Sequence, residues 1–267
     1  MMSERLAFPM YAVNEEETRA LWLAVRELLA ARGVALEEIR SYAIPEELLA
    51  HWRNPELLLS QTCGYPLVTQ LPDAQTVGCF HYSAPGCEGR NYRSLLVARE
   101  DDLMLTLADF RGRRVACNAA DSQSGYNVLL KMVAPLSRDG RFFSTVVFSG
   151  SHRQSLRELQ LERADIAAID CVTWALLQRY QPEALAGLVV IAHGPLAPGL
   201  PFITSANSSA STLGLLREAL QQLVSDERYR PLCEALFICG YSDMRRADYQ
   251  PLMAWREEAA ARGVVRL

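Results

Sequence analysis

The chain has 267 residues, half of them hydrophobic, and a formal net charge of −4. That length and apolar fraction suit one large or two modest domains with their own cores and exclude a disordered chain. The mild acidity lacks the basic stripe of a nucleic-acid binder. It is compatible with an anionic ligand, because backbone N–H groups and a helix dipole can hold an anion without net positive charge.

Residues 6–12 are predicted as a strand and residues 14–33 as a helix. Asn14 is placed to cap it, Glu17 falls at the third helical position and Gly33 closes it, while Leu21, Val25, Leu28 and Leu29 form one apolar stripe. A second helix is predicted over 45–52 and a short buried strand over 57–60. Strands over 114–118, 144–148, 165–169 and 188–192 alternate with helices over 124–133, 151–162 and 171–180, a pattern that predicts parallel, doubly wound sheets. A strand over 202–205 follows the Pro198-Gly199-Leu200-Pro201 turn, and helices over 208–224, 227–237 and 255–262 complete the chain. The expected fold class is α/β, with two Rossmann-like lobes joined by a two-stranded hinge. Residues 1–95 plus 200–267 form lobe 1 and residues 96–199 form lobe 2, the short helical tail packing back onto lobe 1. Two crossings, near 92–99 and 192–200, suit closure around a ligand.

Seven cysteines, with no C-x-x-C pair, argue against a disulfide framework and for a reducing compartment. No signal peptide is visible before Asn14-Glu15-Glu16-Glu17, and no apolar stretch is long enough to span a bilayer. The chain as given is expected in the cytoplasm, or in the periplasm if a leader was removed.

Ligands of open α/β sheets bind beyond the carboxyl ends of strands. Four segments occupy such places. Asp121-Ser122-Gln123-Ser124-Gly125-Tyr126 offers hydroxyls, free N–H groups and a glycine at a helix start; it reads equally as an inert N-cap. Gln61-Thr62-Cys63-Gly64-Tyr65-Pro66 has the same ingredients, and as one segment from each lobe the two could clamp one anion. His152, after Ser149-Gly150-Ser151, could donate to an anionic oxygen or merely begin a helix. Asp170 could face a ligand amine or protonated oxygen, or cap the next helix. Tyr11 reads as an aromatic wall or as core.

Competing chemistries have less support. Ser124, His152 and Asp170 could be written as a triad, but no G-x-S-x-G elbow is present. Cys63 with His152 could be a thiol and its base. Cys79, His81 and Cys87 offer three metal donors at a spacing that fits no zinc pattern, so neither metal nor cofactor is expected.

Taken in order, Ser60-Gln61-Thr62-Cys63-Gly64-Tyr65-Pro66-Leu67, Ala84-Pro85-Gly86-Cys87-Glu88-Gly89 with Tyr92-Arg93-Ser94, residues 109–114, residues 121–126, Gly150-Ser151-His152 and residues 164–170 resemble the phosphate/phosphite/phosphonate substrate-binding family of ABC transporters. The resemblance covers residues 6–205 and implies the type II periplasmic binding-protein fold. It implies that Ser122, Gln123 and Ser124 grip the oxyanion head group, that Tyr65 and His152 touch the ligand, and that Asp170 lies on its far side. Tyr11, Gln61, Thr62 and Tyr126 complete the expected ligand-binding set. Gln123 stands where phosphonate binders tend to carry Thr in a Ser-Thr-Ser-like string, which leaves the ligand's identity open. The expected function is a non-enzymatic, monomeric solute-binding protein that closes on a small oxyanion and serves an ABC permease, with no nucleic-acid partner and no membrane insertion. The alternative is a cytoplasmic enzyme or ligand sensor on the same fold.

Overall fold

The computed structural model describes residues 5–35, 39 and 41–267. The chain divides into two compact units: Met1–Ser83, Glu88–Arg90 and Pro198–Tyr249 in the first, and Ala84–Cys87, Asn91–Ala197 and Gln250–Leu267 in the second.

In the first unit, strand β1 (Leu6–Ala7) is much shorter than residues 6–12. Pro9 has no N–H to continue a ladder, and Tyr11 lies in a turn instead. Helix α1 (Glu15–Ala30) begins where the sequence predicts, with Asn14 Oδ1 accepting from Glu17 N at 3.0 Å. Its stripe of Leu21, Val25, Leu28 and Leu29 is buried, each such side chain contributing about 2 kcal/mol. Helix α2 (Leu48–Trp52), strand β2 (Leu59–Gln61) and helix α3 (Gly64–Thr69) follow. Strand β3 (Gln75–Tyr82) is the longest strand of this sheet and lies between β11 and β12.

Two short strands, β4 (Asn91–Tyr92) and β10 (Ala197–Pro198), pair as a separate ribbon where the chain changes unit. The second unit holds β5 (Ser94–Arg99), β6 (Arg114–Cys117), a π-helical turn (Gln123–Asn127) running into α4 (Val128–Val133), β7 (Thr145–Phe148) and α5 (His152–Gln160). It continues with β8 (Ile166–Asp170), α6 (Cys171–Tyr180) and β9 (Leu188–His193). The first unit resumes with β11 (Pro201–Thr204), α7 (Ala210–Ser225), α8 (Arg230–Ala235) and β12 (Ile238–Asp243), and α9 (Pro251–Ala261) lies in the second.

Both sheets are mixed rather than purely parallel. The first has the order β1-β2-β11-β3-β12, with β1 parallel to β2 and the remaining pairs antiparallel. The second has the order β7-β6-β8-β5-β9, with β6 parallel to β7 and β8. Strand β5 runs antiparallel to both β8 and β9. Residues 94–99, expected as a crossing, are therefore a strand between β8 and β9 whose Leu96, Val97 and Ala98 are fully buried.

The tail differs from expectation as well: residues 250–267 group with the second unit, not with lobe 1. The reason lies in α4 and the turn before it. Asn127 Nδ2 donates to Leu252 O at 3.0 Å, and Lys131 lies 5.1 Å over the Trp255 ring while pairing with Glu258 at 2.9 Å. Strand β12 was not predicted; the buried Tyr241 hydroxyl donates to Val77 O at 3.1 Å and ties it to β3.

Candidate functional site

In the second unit the site is built at the carboxyl ends of β6 and β7. After Cys117 the chain passes Asn118 and enters the π-helical turn through Ser122, whose Oγ accepts from Gly125 N at 3.0 Å. The turn is widened because Tyr126 N and Asn127 N both donate to Ser122 O, at 3.2 and 2.9 Å. Such one-turn widenings are frequent at functional sites. Glycine at position 125 leaves room for the Asn118 side chain, because an added Cβ would overlap Asn118 Oδ1.

Ser124 Oγ lies 2.8 Å from His152 Nε2. His152 opens α5, whose N-cap Ser151 accepts from Gln154 N at 3.1 Å. Burial among surrounding protein pushes the imidazole pKa down to about 4, so the ring is neutral near pH 7. Its buried Nδ1 has no hydrogen-bond partner, and the same is true of Asn118 Oδ1 and Asn127 Oδ1. Buried polar atoms of this kind are uncommon and mark places where a ligand or water completes the set.

Gln123 is buried, with its Oε1 accepting from Asn127 Nδ2 at 2.8 Å, so its amide is held inside the helix start. Tyr126 stacks on Phe148 with ring centroids 6.1 Å apart and planes 21° from parallel. Its hydroxyl accepts from Leu267 N at 3.2 Å. Asp170 is buried and caps α6, its Oδ1 accepting from Val172 N at 2.7 Å and Thr173 N at 3.2 Å. Ser124 and His152 thus meet, Ser122 caps the turn that carries Ser124, and Asp170 caps α6.

In the first unit, Gln61 Nε2 reaches Tyr82 Oη at 3.4 Å, and Tyr82 packs edge-on against Tyr11 with centroids 5.1 Å apart. Trp52 Nε1 donates to Gln61 O at 3.1 Å. Thr62 is fully buried; its N–H donates to Pro201 O at 2.9 Å while Oγ1 has no partner. Tyr65 is buried in the first turn of α3, and its carbonyl accepts from Thr69 Oγ1 at 2.8 Å. Gln61 and Tyr11 are therefore brought together through Tyr82, a residue the sequence reading missed. It also missed His51, which meets Ser60 Oγ at 2.9 Å, and Asn118 and Phe148. The last two carried a usable signal, because each lies at or just beyond the carboxyl end of a strand.

Of the three residues weighed and set aside as metal donors, His81 Nε2 is 2.8 Å from Ser242 Oγ and Cys87 lies against Cys171. Among the described residues no cluster of His, Cys, Asp or Glu could hold a metal ion, and no helix is long and apolar enough to cross a membrane.

Two mixed α/β units, one carrying a hydroxyl-lined helix start with a neutral histidine beside it, define a small-molecule binding protein. The chain belongs to the family of periplasmic substrate-binding proteins of phosphonate ABC transporters, whose model matches residues 14–249. It is thus a substrate-binding component of the transporter class, a class without enzymatic activity. Among solved structures it is similar to PhnD1 from Prochlorococcus marinus (MIT 9301) in complex with methylphosphonate, at 12% identity and TM-score 0.75, over 95% of this chain and 97% of that one. It is also similar to a binding protein component of an ABC phosphonate transporter from Pseudomonas aeruginosa, at 16% identity and TM-score 0.75, over 98% and 93% of the two chains. The alkanesulfonate-binding protein SsuA of Xanthomonas axonopodis pv. citri bound to MOPS matches at 15% identity and TM-score 0.66, over 100% and 95%. No curated protein matches the chain by sequence.

Proposed function

We propose that this chain binds a small tetrahedral oxyanion, a phosphonate or phosphate-like group, as a monomer, and delivers it to an ABC permease. The observation that carries the reading is the pair Ser124 Oγ and His152 Nε2 at the start of a helical segment, with His152 Nδ1 left unpartnered. When the Ser124 hydroxyl donates to Nε2, the ring proton sits on Nδ1 and becomes a donor for an anionic oxygen. The N–H groups at the helix start add donors and a favourable dipole. Family membership and the methylphosphonate bound by the Prochlorococcus protein support the same ligand class. Gln61, Thr62 and Tyr65 are proposed as a second set of ligand contacts, with Tyr11 as an apolar wall. Gln123 (its Oε1 held by Asn127), Tyr126 (stacked on Phe148) and Asp170 (which caps α6) are proposed as further ligand contacts.

Titration calorimetry with methylphosphonate and with inorganic phosphate tests the proposal. Saturable binding of at least one is expected, and Ser124→Ala should weaken it by about tenfold, because the lost hydrogen bond to Nε2 no longer holds the ring proton on Nδ1 for the anion. No heat and no thermal stabilisation at millimolar concentrations of either anion would sink the reading.

A further inference from the structure

The odd number of cysteines and the absence of C-x-x-C speak against a disulfide framework, yet two of the seven meet in the second unit. Cys87 Sγ lies 3.5 Å from Cys171 Sγ, across 84 positions of sequence. The turn 84–87 makes the approach possible. Cys87 N donates to Ala84 O at 3.0 Å, and Gly86, at φ +102°, packs so closely that a Cβ would fall 3.1 Å from Cys171 Cβ. Arg93 fastens the turn from the other side, its Nε donating to Gly86 O at 3.3 Å, while Cys171 N donates to Arg93 O at 3.1 Å.

We propose that Cys87 and Cys171 are a disulfide-forming pair, oxidised by a small-molecule disulfide such as oxidised glutathione. Cys87 is half-buried and within reach of a reagent, whereas Cys171 is fully buried. The Cys87 thiolate attacks one sulfur of the reagent, forming a mixed disulfide and expelling one glutathione thiolate. The Cys171 thiolate then attacks Cys87 Sγ and expels the second. One disulfide is reduced to two small thiols, which take up the two protons, and one protein disulfide is formed.

Three of the five remaining cysteines are poor competitors, and Cys239 is exposed with no second sulfur beside it to complete an intramolecular bond among the described residues. Burial pushes the Cys79 and Cys117 thiols up to about 12 and that of Cys233 to about 11, and nothing pairs them with a second sulfur among the described residues. The bond would fasten the 84–87 turn, just where the chain leaves the second unit, to the first residue of α6 beside Asp170. A substrate-binding protein of a periplasmic family works where such a bond persists.

The full chain, reduced and then exposed to oxidised glutathione, is unfolded in acid, alkylated and weighed. Two of the seven thiols should be lost to alkylation, and a non-reducing digest should join the peptides carrying Cys87 and Cys171. The melting temperature should rise by several degrees on oxidation, reverse with dithiothreitol and not move in Cys87→Ser. Cys171→Ser should trap glutathione on Cys87; if that variant does not fold, the Cys87→Ser comparison carries the result. Seven alkylated thiols, a stable glutathione adduct on Cys87 of the unmutated chain, or a link between any other pair overturns the proposal.

Discussion

Ser124 and His152 meet at 2.8 Å from the starts of two successive helical segments of one unit, and the far nitrogen of the imidazole is left buried without a partner. The pair leaves His152 neutral and oriented, with one polar atom unspent on the protein itself. Its protonation state is the most direct handle on the site.

Burial lowers the folded-state pKa of His152 from 6.5 to about 4. Between those values the unfolded chain binds a proton that the folded chain does not, so the stability contribution is present above pH 6.5 and is lost as pH falls through 4. Urea denaturation across this range should show stability falling on acidification by on the order of 3 kcal/mol. His152→Gln should flatten that slope. An unchanged slope in the variant would mean that another group titrates.

Position 125 tolerates no side chain as the structure stands, because the added Cβ would overlap Asn118 Oδ1. Gly125→Ala should destabilise by roughly 1–3 kcal/mol. The obstructing atom is a side-chain tip without a hydrogen bond to lose, so adding Asn118→Ala should recover part of the loss. Equal stability of Gly125→Ala and the parent in thermal melts would contradict this packing.

Asp165 anchors β6 to β8. Burial pushes its carboxyl up, but Arg114 outweighs this with side-chain and backbone hydrogen bonds, Arg99 adds another, and the acid is held well below the usual carboxylate range. Its contribution is therefore present above the ordinary carboxylate pKa and is lost only in strong acid. Asp165→Asn should cost about 2 kcal/mol at pH 7, with both arginines partly solvated and so only partly stranded. Equilibrium unfolding checks the value, and a cost near zero would mean that the triad is only a surface pairing.

What the sequence determined by itself is local. Asn14 caps α1 as its position before Glu15-Glu16-Glu17 requires, and Asp170 caps α6 because a carboxylate at that point accepts two N–H groups. Strands β6, β7 and β8 were legible from short apolar runs, and the ordered motifs pointed to the family. The placement of Ser122, Ser124 and His152 after strand ends followed from a topological rule. Tertiary structure decided the rest. Strand β5 runs antiparallel between β8 and β9, and β12 exists only because β3 offers an edge to pair with, choices that no local periodicity encodes. The tail joins the second unit because α4 offers it Asn127 and Lys131. The same holds for the pairs of functional interest. Ser124 and His152 are 28 residues apart and meet because sheet order sets the ends of β6 and β7 side by side, while Cys87 and Cys171, 84 apart, meet because the 84–87 turn packs on the start of α6.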